Sequence, residues 1–302
     1  MSDKTVIVIA GPTAIGKTEL AIRVARHFKT EIVSADSRQF YREMSIGTAK
    51  PSEEELSAAK HHFINSHSVH DEFSVGEFER ASLSVIQEIF TKNPVAVVTG
   101  GSGLYIKAIT EGFDDLPKAD PDVRSELNLR IESEGIESLQ AQLKELDPTY
   151  YDEVDLGNPQ RVIRALEVCI TSGKPFSSFR SNISKERPFN IIKIGINTSR
   201  ETLYKRINDR VDKMVNSGLI DEVKGLMPFR HLNALNTVGY SEIFEALDGE
   251  TMLETAIESI KQNTRRFAKR QLTWFRKDTE IEWFEPDQLQ EILKYLDLKI
   301  QA

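Results

Sequence analysis

Gly11-Pro12-Thr13-Ala14-Ile15-Gly16-Lys17-Thr18 decides how this chain is read. The octet follows an apolar run, Thr5–Ala10, and leads into a helix-like stretch, Glu19–Phe28. Its Gly-x-x-x-x-Gly-Lys-Thr spacing, between a strand and a helix, is that of a phosphate-binding P-loop. The glycines let the backbone curl until its N–H groups face inward. The following helix aims the positive end of its dipole at the same point. Gly11, Pro12, Thr13, Ala14, Ile15 and Gly16 would cradle phosphate groups, Lys17 would reach a terminal phosphate, and Thr18 could ligate Mg²⁺. The loop implies a polyphosphate or a pyrophosphate ester but does not fix the reaction.

Outward from the loop, strands and helices alternate. Val6–Ala10, Glu31–Ala35 and Val95–Thr99 read as strands; Lys17–Phe28, Val75–Lys92 and Gly103–Thr110 read as helices. This order predicts an α/β fold, a P-loop NTPase-like parallel sheet flanked by helices. Ligands in such sheets bind beyond the carboxyl ends of the strands. The turns Gly11–Thr18, Asp36–Gln39 and Gly100–Tyr105 are therefore expected to meet. From Asp115 to Pro188 the strand signal vanishes, and Pro121–Glu134, Ile136–Leu146 and Pro159–Thr171 read as helices. Asp120 is a good N-cap for a helix beginning at Pro121. Residues 115–188 are thus predicted to form a helical insertion domain within a core made of 1–114 and 189–302. A strand at Ile191–Ile196, a helix at Arg200–Asn216 and a short strand at Ile281–Phe284 return the chain to the core.

With 302 residues, 39% of them hydrophobic and 28% charged, the chain can bury a core of its own. No apolar stretch is long enough to span a bilayer, so no membrane association is expected. Ser2-Asp3-Lys4 run straight into the first strand, and no secretory leader is expected there. One cysteine, Cys169, excludes an intramolecular disulfide and suits a reducing cytoplasm; its apolar setting, Val162–Ile170, marks it as structural. A net charge of −8 does not advertise a nucleic-acid binder. Yet Lys261, Arg265, Arg266, Lys269, Arg270, Arg276 and Lys277 follow one another with no acid among them. On a helix, positions 262, 265, 266, 269 and 270 share a face, which is either a solvated cationic surface or a contact for a phosphate backbone.

Asp36 follows the second strand, where a carboxylate beside a phosphate loop can act as general base or metal ligand. The strand Val95–Thr99 ends in Gly100-Gly101 rather than in the Asp expected of ordinary ATPases, which disfavours ATP hydrolysis. Arg206 and Arg210 are i, i+4 neighbours on one predicted helix, and either could clamp a phosphate. Asn158-Pro159-Gln160-Arg161 with Arg164 describes a capped helix displaying two arginines and a glutamine. Such a face can grip phosphate and read a base edge. His61, His62, His67 and His70 do not match a zinc template and read as structural or polar contacts.

Taken in order, Gly11–Thr18, Asp36-Ser37-Arg38-Gln39, Tyr41 through Ile46-Gly47-Thr48-Ala49-Lys50-Pro51, Gly100–Tyr105, Asn158–Arg161 with Arg164–Val168, and Thr264–Trp274 resemble the bacterial tRNA dimethylallyltransferase family. The resemblance runs from about Val6 to Phe275, and Ile46–Pro51 and Thr264–Trp274 are its most specific segments. It implies transfer of a dimethylallyl group from dimethylallyl diphosphate to N6 of adenosine 37 in tRNA, with Mg²⁺ as cofactor. The catalytic residues would be Asp36, Thr13 and Arg210, with Asp36 taking the proton of the adenine amine. The P-loop would hold the diphosphate, and Thr18 the metal. Asp36, Ser37, Arg38, Gln39, Ser102, Arg124, Gln160, Arg161, Val162, Ile163 and Arg164 would contact the tRNA anticodon stem-loop. The enzyme would act as a monomer. Ser102 stands where threonine is more common, and Asn65 where aspartate is usual.

Three other readings fit parts of the chain. A P-loop kinase of a small nucleoside or metabolite explains the loop and core but leaves Lys261–Lys277 and Gln160–Arg164 idle. An isopentenyltransferase acting on free adenine nucleotides leaves the insertion without a task. A noncatalytic RNA-binding switch does not explain Asp36 beside the loop.

Overall fold

A computed structural model of the chain describes residues 3–114, 116–118, 120–180 and 184–301. Ser2, Asp115 and Ala302, which mark ends of expected segments, lie outside them. Among the described residues six strands form one sheet: β1 (Thr5–Ala10), β2 (Ile32–Ser34), β3 (His61–His62), β4 (Val95–Gly100), β5 (Asn190–Ile196) and β6 (Glu282–Phe284). Their order is β3-β2-β4-β1-β5-β6 and every pairing is parallel.

The sheet is covered on both faces because its strands are apolar at successive positions. Side chains alternate across a strand. Val6, Val8 and Ala10 of β1 join one core cluster with Val33, Ala96 and Val98, whereas Ile7 and Ile9 join the other with Ile32, Val97 and Ile194. Among the described residues the helices of the core before the insertion are α1 (Lys17–His27), α2 (Glu53–Ala58), α3 (Val75–Ile89) and α4 (Gly103–Thr110). Ser52 and Ser74 start α2 and α3 with capping boxes completed by Glu55 and Glu77.

The second compact unit comprises residues 112–185, and the core unit comprises 1–111 and 186–302. The expected boundaries at 115 and 188 therefore move about three residues toward the N-terminus. Arg187 explains the second shift: its guanidinium donates to the carbonyls of Ile109 (2.9 Å) and Ala108 (2.6 Å) and to Glu79 (2.8 Å), so it is built into the core. The helical unit contains α5 (Pro121–Glu134), α6 (Ile136–Leu146), α7 (Pro148–Glu153) and α8 (Pro159–Ser172). Asp120 caps α5 and Asn158 caps α8, each followed by proline in the first turn. Leu127, Leu139, Leu143, Val162, Ile163 and Leu166 form its own core. Cys169 is buried there, and burial pushes its thiol pKa up, as a structural cysteine requires.

The rest of the core unit adds α9 (Arg200–Asn216), α10 (Leu219–Leu226), α11 (Ser241–Leu247), α12 (Leu253–Phe275) and α13 (Leu289–Gln301). Among the described residues no helix is long and apolar enough to cross a membrane.

Gly100, the last residue of β4, lies where a β-carbon would come within 2.1 Å of the Ala35 carbonyl oxygen. Backbone cannot give way as a flexible side chain does. Gly100→Ala should destabilise the protein by about 3 kcal/mol. Gly225→Ala, on the exposed side of α10 with open space around it, should stabilise by about 0.5 kcal/mol. Urea unfolding of both variants checks the pair; equal midpoints for Gly100→Ala and wild type would show that the β2–β4 turns are not in close contact.

Candidate active site

The parallel register decides where chemistry can occur. Ala10 is level with Gly100, and Ser34 with Thr99, so the turns after β1, β2 and β4 leave the same edge of the sheet. They open onto a cleft of about 500 Å³ in the core unit. Its walls include Thr13–Glu19, Asp36, Gln39, Thr48, Ala49, Gly101, Arg206, Arg210 and Gln271.

Two short hydrogen-bonded links hold the three turns together. Gln271 of α12 accepts from the Thr13 amide through Oε1 (2.8 Å) and donates to the Gly101 carbonyl through Nε2 (2.8 Å). Its side chain is buried, and a β-carbon at Gly101 would stand 2.3 Å from Nε2, so a side chain there would displace the Gln271 amide from this link. Ser102 Oγ accepts from the Ser37 amide (3.1 Å), tying the glycine turn to the Asp36 turn. Asp36 Oδ1 in turn accepts from the amides of Arg38 (2.9 Å) and Gln39 (3.2 Å). That fixes the carboxyl group at the carboxyl end of β2.

The cleft is built for an anion. Gly16 is the N-cap of α1 and has no side chain to occupy the N–H groups of the first turn. Lys17 Nζ donates to the Pro12 carbonyl (2.6 Å), and Arg210 Nη1 donates to Thr13 Oγ1 (3.1 Å). Lys17 is pushed down from the usual lysine range to about 7, first by burial and then by the Arg210 charge, against the opposing effect of Asp36. Burial also lowers the Arg210 pKa, while Asp36 and Glu55 oppose the shift. Arg206 and Lys213 line the same cleft. Four cations, Lys17, Arg206, Arg210 and Lys213, line the cleft against three carboxylates, Glu19, Asp36 and Glu55, and with two loop-side cations close together the site suits an incoming polyanion. The end of β4 carries Thr99, whose hydroxyl donates to the Ile9 carbonyl (3.4 Å), so no acid stands where an ATPase would place one.

The structure brings the expected catalytic residues Thr13, Asp36 and Arg210 to one cleft, with Ala14–Thr18 of the P-loop and with Gln39; Gly11 and Pro12 are not among its lining residues. Ser37, Arg38 and Ser102 lie in the adjoining turns. In the helical unit, Gln160 and Arg161 are exposed. Arg124 and Arg164 converge on Glu167, a fully buried carboxylate: Arg124 Nη2 lies 3.2 Å from Oε2 and Arg164 Nη1 3.3 Å from it, while Arg124 Nε donates to Oε1. Arg164 also donates to the Pro117 carbonyl (2.8 Å). Val162 and Ile163 are corrections: both side chains are buried in the core of the helical unit and present nothing to a partner. Helical periodicity, which places 162, 163 and 166 on one apolar face, carries that information.

The basic run also reads differently in three dimensions. Lys261 pairs with Asp212 and Glu258 (2.8 Å each), and Arg265 donates to Asn208 (2.7 Å), so part of the charge is spent against α9. Arg266, Lys269 and Arg270 stay exposed beside Phe267 and Trp274. Phe267 and Gln271 of α12 both line the cleft, one turn apart on the same side of the helix. The four histidines serve local contacts, such as His62 with Glu31 (2.6 Å) and His67 stacked on Phe73 at 3.9 Å.

Comparison with known proteins identifies the family. The model of the IPP transferase family matches residues 39–278. A tRNA dimethylallyltransferase of Christiangramia forsetii is 59% identical over 295 residues, covering 97% of this chain and 98% of that protein. The tRNA dimethylallyltransferase 1 of Bacteroides fragilis is 50% identical over 301 residues, the full length of both. Among solved structures, the full-length tRNA isopentenylpyrophosphate transferase of Bacillus halodurans superposes with a TM-score of 0.74 at 37% identity, covering 99% of this chain and 97% of that one. A eukaryotic dimethylallyltransferase acting on tRNA superposes at 0.76 and 26% identity, covering 95% of this chain and 75% of that one. The chain belongs to the IPP transferase family.

Proposed function

We propose that this enzyme transfers the dimethylallyl group of dimethylallyl diphosphate to N6 of adenosine 37 in tRNA, releasing diphosphate. One observation supports it above the others: a cationic P-loop cleft has Asp36 on its wall and no acid at the end of β4. A kinase also has a use for Asp36 as base, but it leaves the exposed Arg266, Lys269 and Arg270 of α12 and Gln160 and Arg161 of α8 without a task.

In this reading the N6–C1 bond forms as the C1–O bond to diphosphate breaks. The N6 proton passes to Asp36, and the diphosphate leaves with the bonding pair. An exocyclic adenine amine is a weak nucleophile, so a positioned carboxylate matters. Charge gathers on the departing diphosphate, where the loop amides, Lys17, Arg210 and Thr13 would stabilise it. The adenine must leave its stack to enter the cleft. Mg²⁺ would neutralise part of the diphosphate charge when bound; Thr18, a hard oxygen donor on the cleft wall, fits a site completed by substrate oxygens and water. Ser37, Arg38, Gln39 and Ser102, with Arg124, Gln160, Arg161 and Arg164 of the helical unit, would contact the anticodon stem-loop. Val162 and Ile163 would hold their helix in place. The reading takes the enzyme to act as a monomer, and a single cysteine, Cys169, buried and free, fits a reducing cytoplasm.

Asp36→Asn keeps one oxygen to accept from Arg38 and Gln39 but removes the base. Transfer should fall about a thousandfold with tRNA affinity within threefold of wild type. Single-turnover rates and tRNA titrations check this; affinity lost in step with rate would make Asp36 a recognition residue.

Lys17 supplies a pH test. Its pKa near 7 in the free enzyme leaves it mostly neutral at pH 8, and a bound diphosphate favours the charged form. Binding dimethylallyl diphosphate at pH 8 should therefore take up close to one proton, read by calorimetry in buffers of different ionisation enthalpy. Above pH 7 the affinity should weaken by up to about tenfold per pH unit. In Lys17→Met the uptake should vanish. No uptake by the wild type would place Lys17 away from the ligand charge.

A further inference from the structure

Glu222 lies on α10, yet its carboxylate is filled by donors from elsewhere in the core unit. Oε2 accepts from the amides of Ser45 (2.9 Å) and Ile46 (2.7 Å). Oε1 accepts from the Gly47 amide (3.0 Å) and the Tyr240 hydroxyl (2.6 Å). Three consecutive backbone N–H groups turned toward one point make a nest of the kind that ordinarily binds an anion. Here the anion is a side chain of the same molecule. Tyr240 is fully buried, and burial together with the Glu222 charge raises its pKa, so the hydroxyl stays protonated and donates. A β-carbon at Gly47 would lie 2.5–2.8 Å from atoms of the Tyr240 ring, so only glycine lets the segment reach the carboxylate.

The anchored segment runs directly into the active site. The carbonyls of Thr48 and Ala49 each accept from Gln39 Nε2 (3.1 Å). Thr48, Ala49 and Pro51 line the cleft that the phosphate loop lines. Gln39 in turn donates its amide to Asp36 Oδ1. Glu222, outside the cleft, is therefore joined to the carboxyl group inside it by hydrogen bonds at Gly47, at the Thr48 and Ala49 carbonyls and at the Gln39 backbone N–H, with short stretches of covalent chain between them. Ala49 adopts φ +48°, a conformation costly for a non-glycine residue, which surrounding contacts must hold.

We propose that Glu222 is a positioning residue for the donor site: its carboxylate fastens Ser45–Gly47 so that Thr48–Pro51 stand as a wall of the cleft and Gln39 holds the Asp36 turn. The inference rests on the dimethylallyl diphosphate reading above.

Glu222→Gln keeps the shape but turns an amide NH₂ toward groups that all donate. In the full-length protein it should raise KM for dimethylallyl diphosphate about tenfold and weaken its affinity by calorimetry to a similar degree. The dissociation constant for tRNA should stay within twofold. Tyr240→Phe removes one donor of four and keeps the ring behind Gly47; it should change donor KM less than threefold. Thermal unfolding of both variants is followed in parallel. Unchanged donor KM in a folded Glu222→Gln protein overturns the proposal, as does an equal loss of donor and tRNA binding accompanied by a lowered melting temperature. A wild-type protein that fails to bind dimethylallyl diphosphate overturns the underlying reading instead, and the wild-type titration shows which of the two has failed.

Discussion

The register of the parallel sheet places Ala10 beside Gly100 and Ser34 beside Thr99. Three turns from distant parts of the chain consequently emerge at one edge, and the cleft is their common border. Everything chemical in the core unit follows from that alignment. Ile15 and Tyr105 anchor two of the turns in the core, and side-chain hydrogen bonds join the turns to one another. Gln271 links the phosphate loop to the glycine turn, Ser102 links the glycine turn to the Asp36 turn, and Asp36 closes its own. A buried amide that satisfies both its oxygen and its nitrogen in this way tolerates no slack, because losing either partner strands a buried polar group.

The same compactness sets the electrostatics. Lys17 and Arg210 are taken out of water close to one another, and both are disfavoured in their charged forms until an anion arrives. Such an arrangement costs stability in the free protein and returns it when the diphosphate binds, which is the ordinary exchange at a preorganised site. In the helical unit the opposite solution operates. Glu167, buried and fully occupied, holds Arg124 and Arg164 with their guanidinium groups still partly exposed. One carboxylate offsets two cations there, so the pair retains positive charge to offer a phosphate backbone while its geometry is fixed.

Local signals made much of the fold legible. The P-loop, the apolar strands and the capped starts at Asp120 and Asn158 all depend on residues within a few positions of each other, and the structure has them where expected. The two-residue strand β3 and the short helices α2 and α7 are too brief to show a period. The insertion boundary depended on Arg187, whose partners Ala108 and Ile109 are nearly eighty positions earlier. Gln271 and Glu222 were missed for the same reason on a larger scale: Gln271 meets Thr13 across 258 positions, and Glu222 meets Ser45 across 177. No spacing rule connects residues so far apart. Val162 and Ile163 show the converse case. Their apolar character and helical spacing placed them in a core, and position within a motif was the weaker guide.

The central claim is that the P-loop of this protein holds a leaving diphosphate, not a nucleotide to be hydrolysed. Mass spectrometry of nucleosides from unmodified tRNA incubated with purified enzyme, Mg²⁺ and dimethylallyl diphosphate tests it most directly, beside parallel reactions offering ATP or free AMP. The account predicts one dimethylallyl group gained on a tRNA adenosine, with ATP and AMP unchanged. Unmodified tRNA, together with consumed ATP or prenylated AMP, would contradict it.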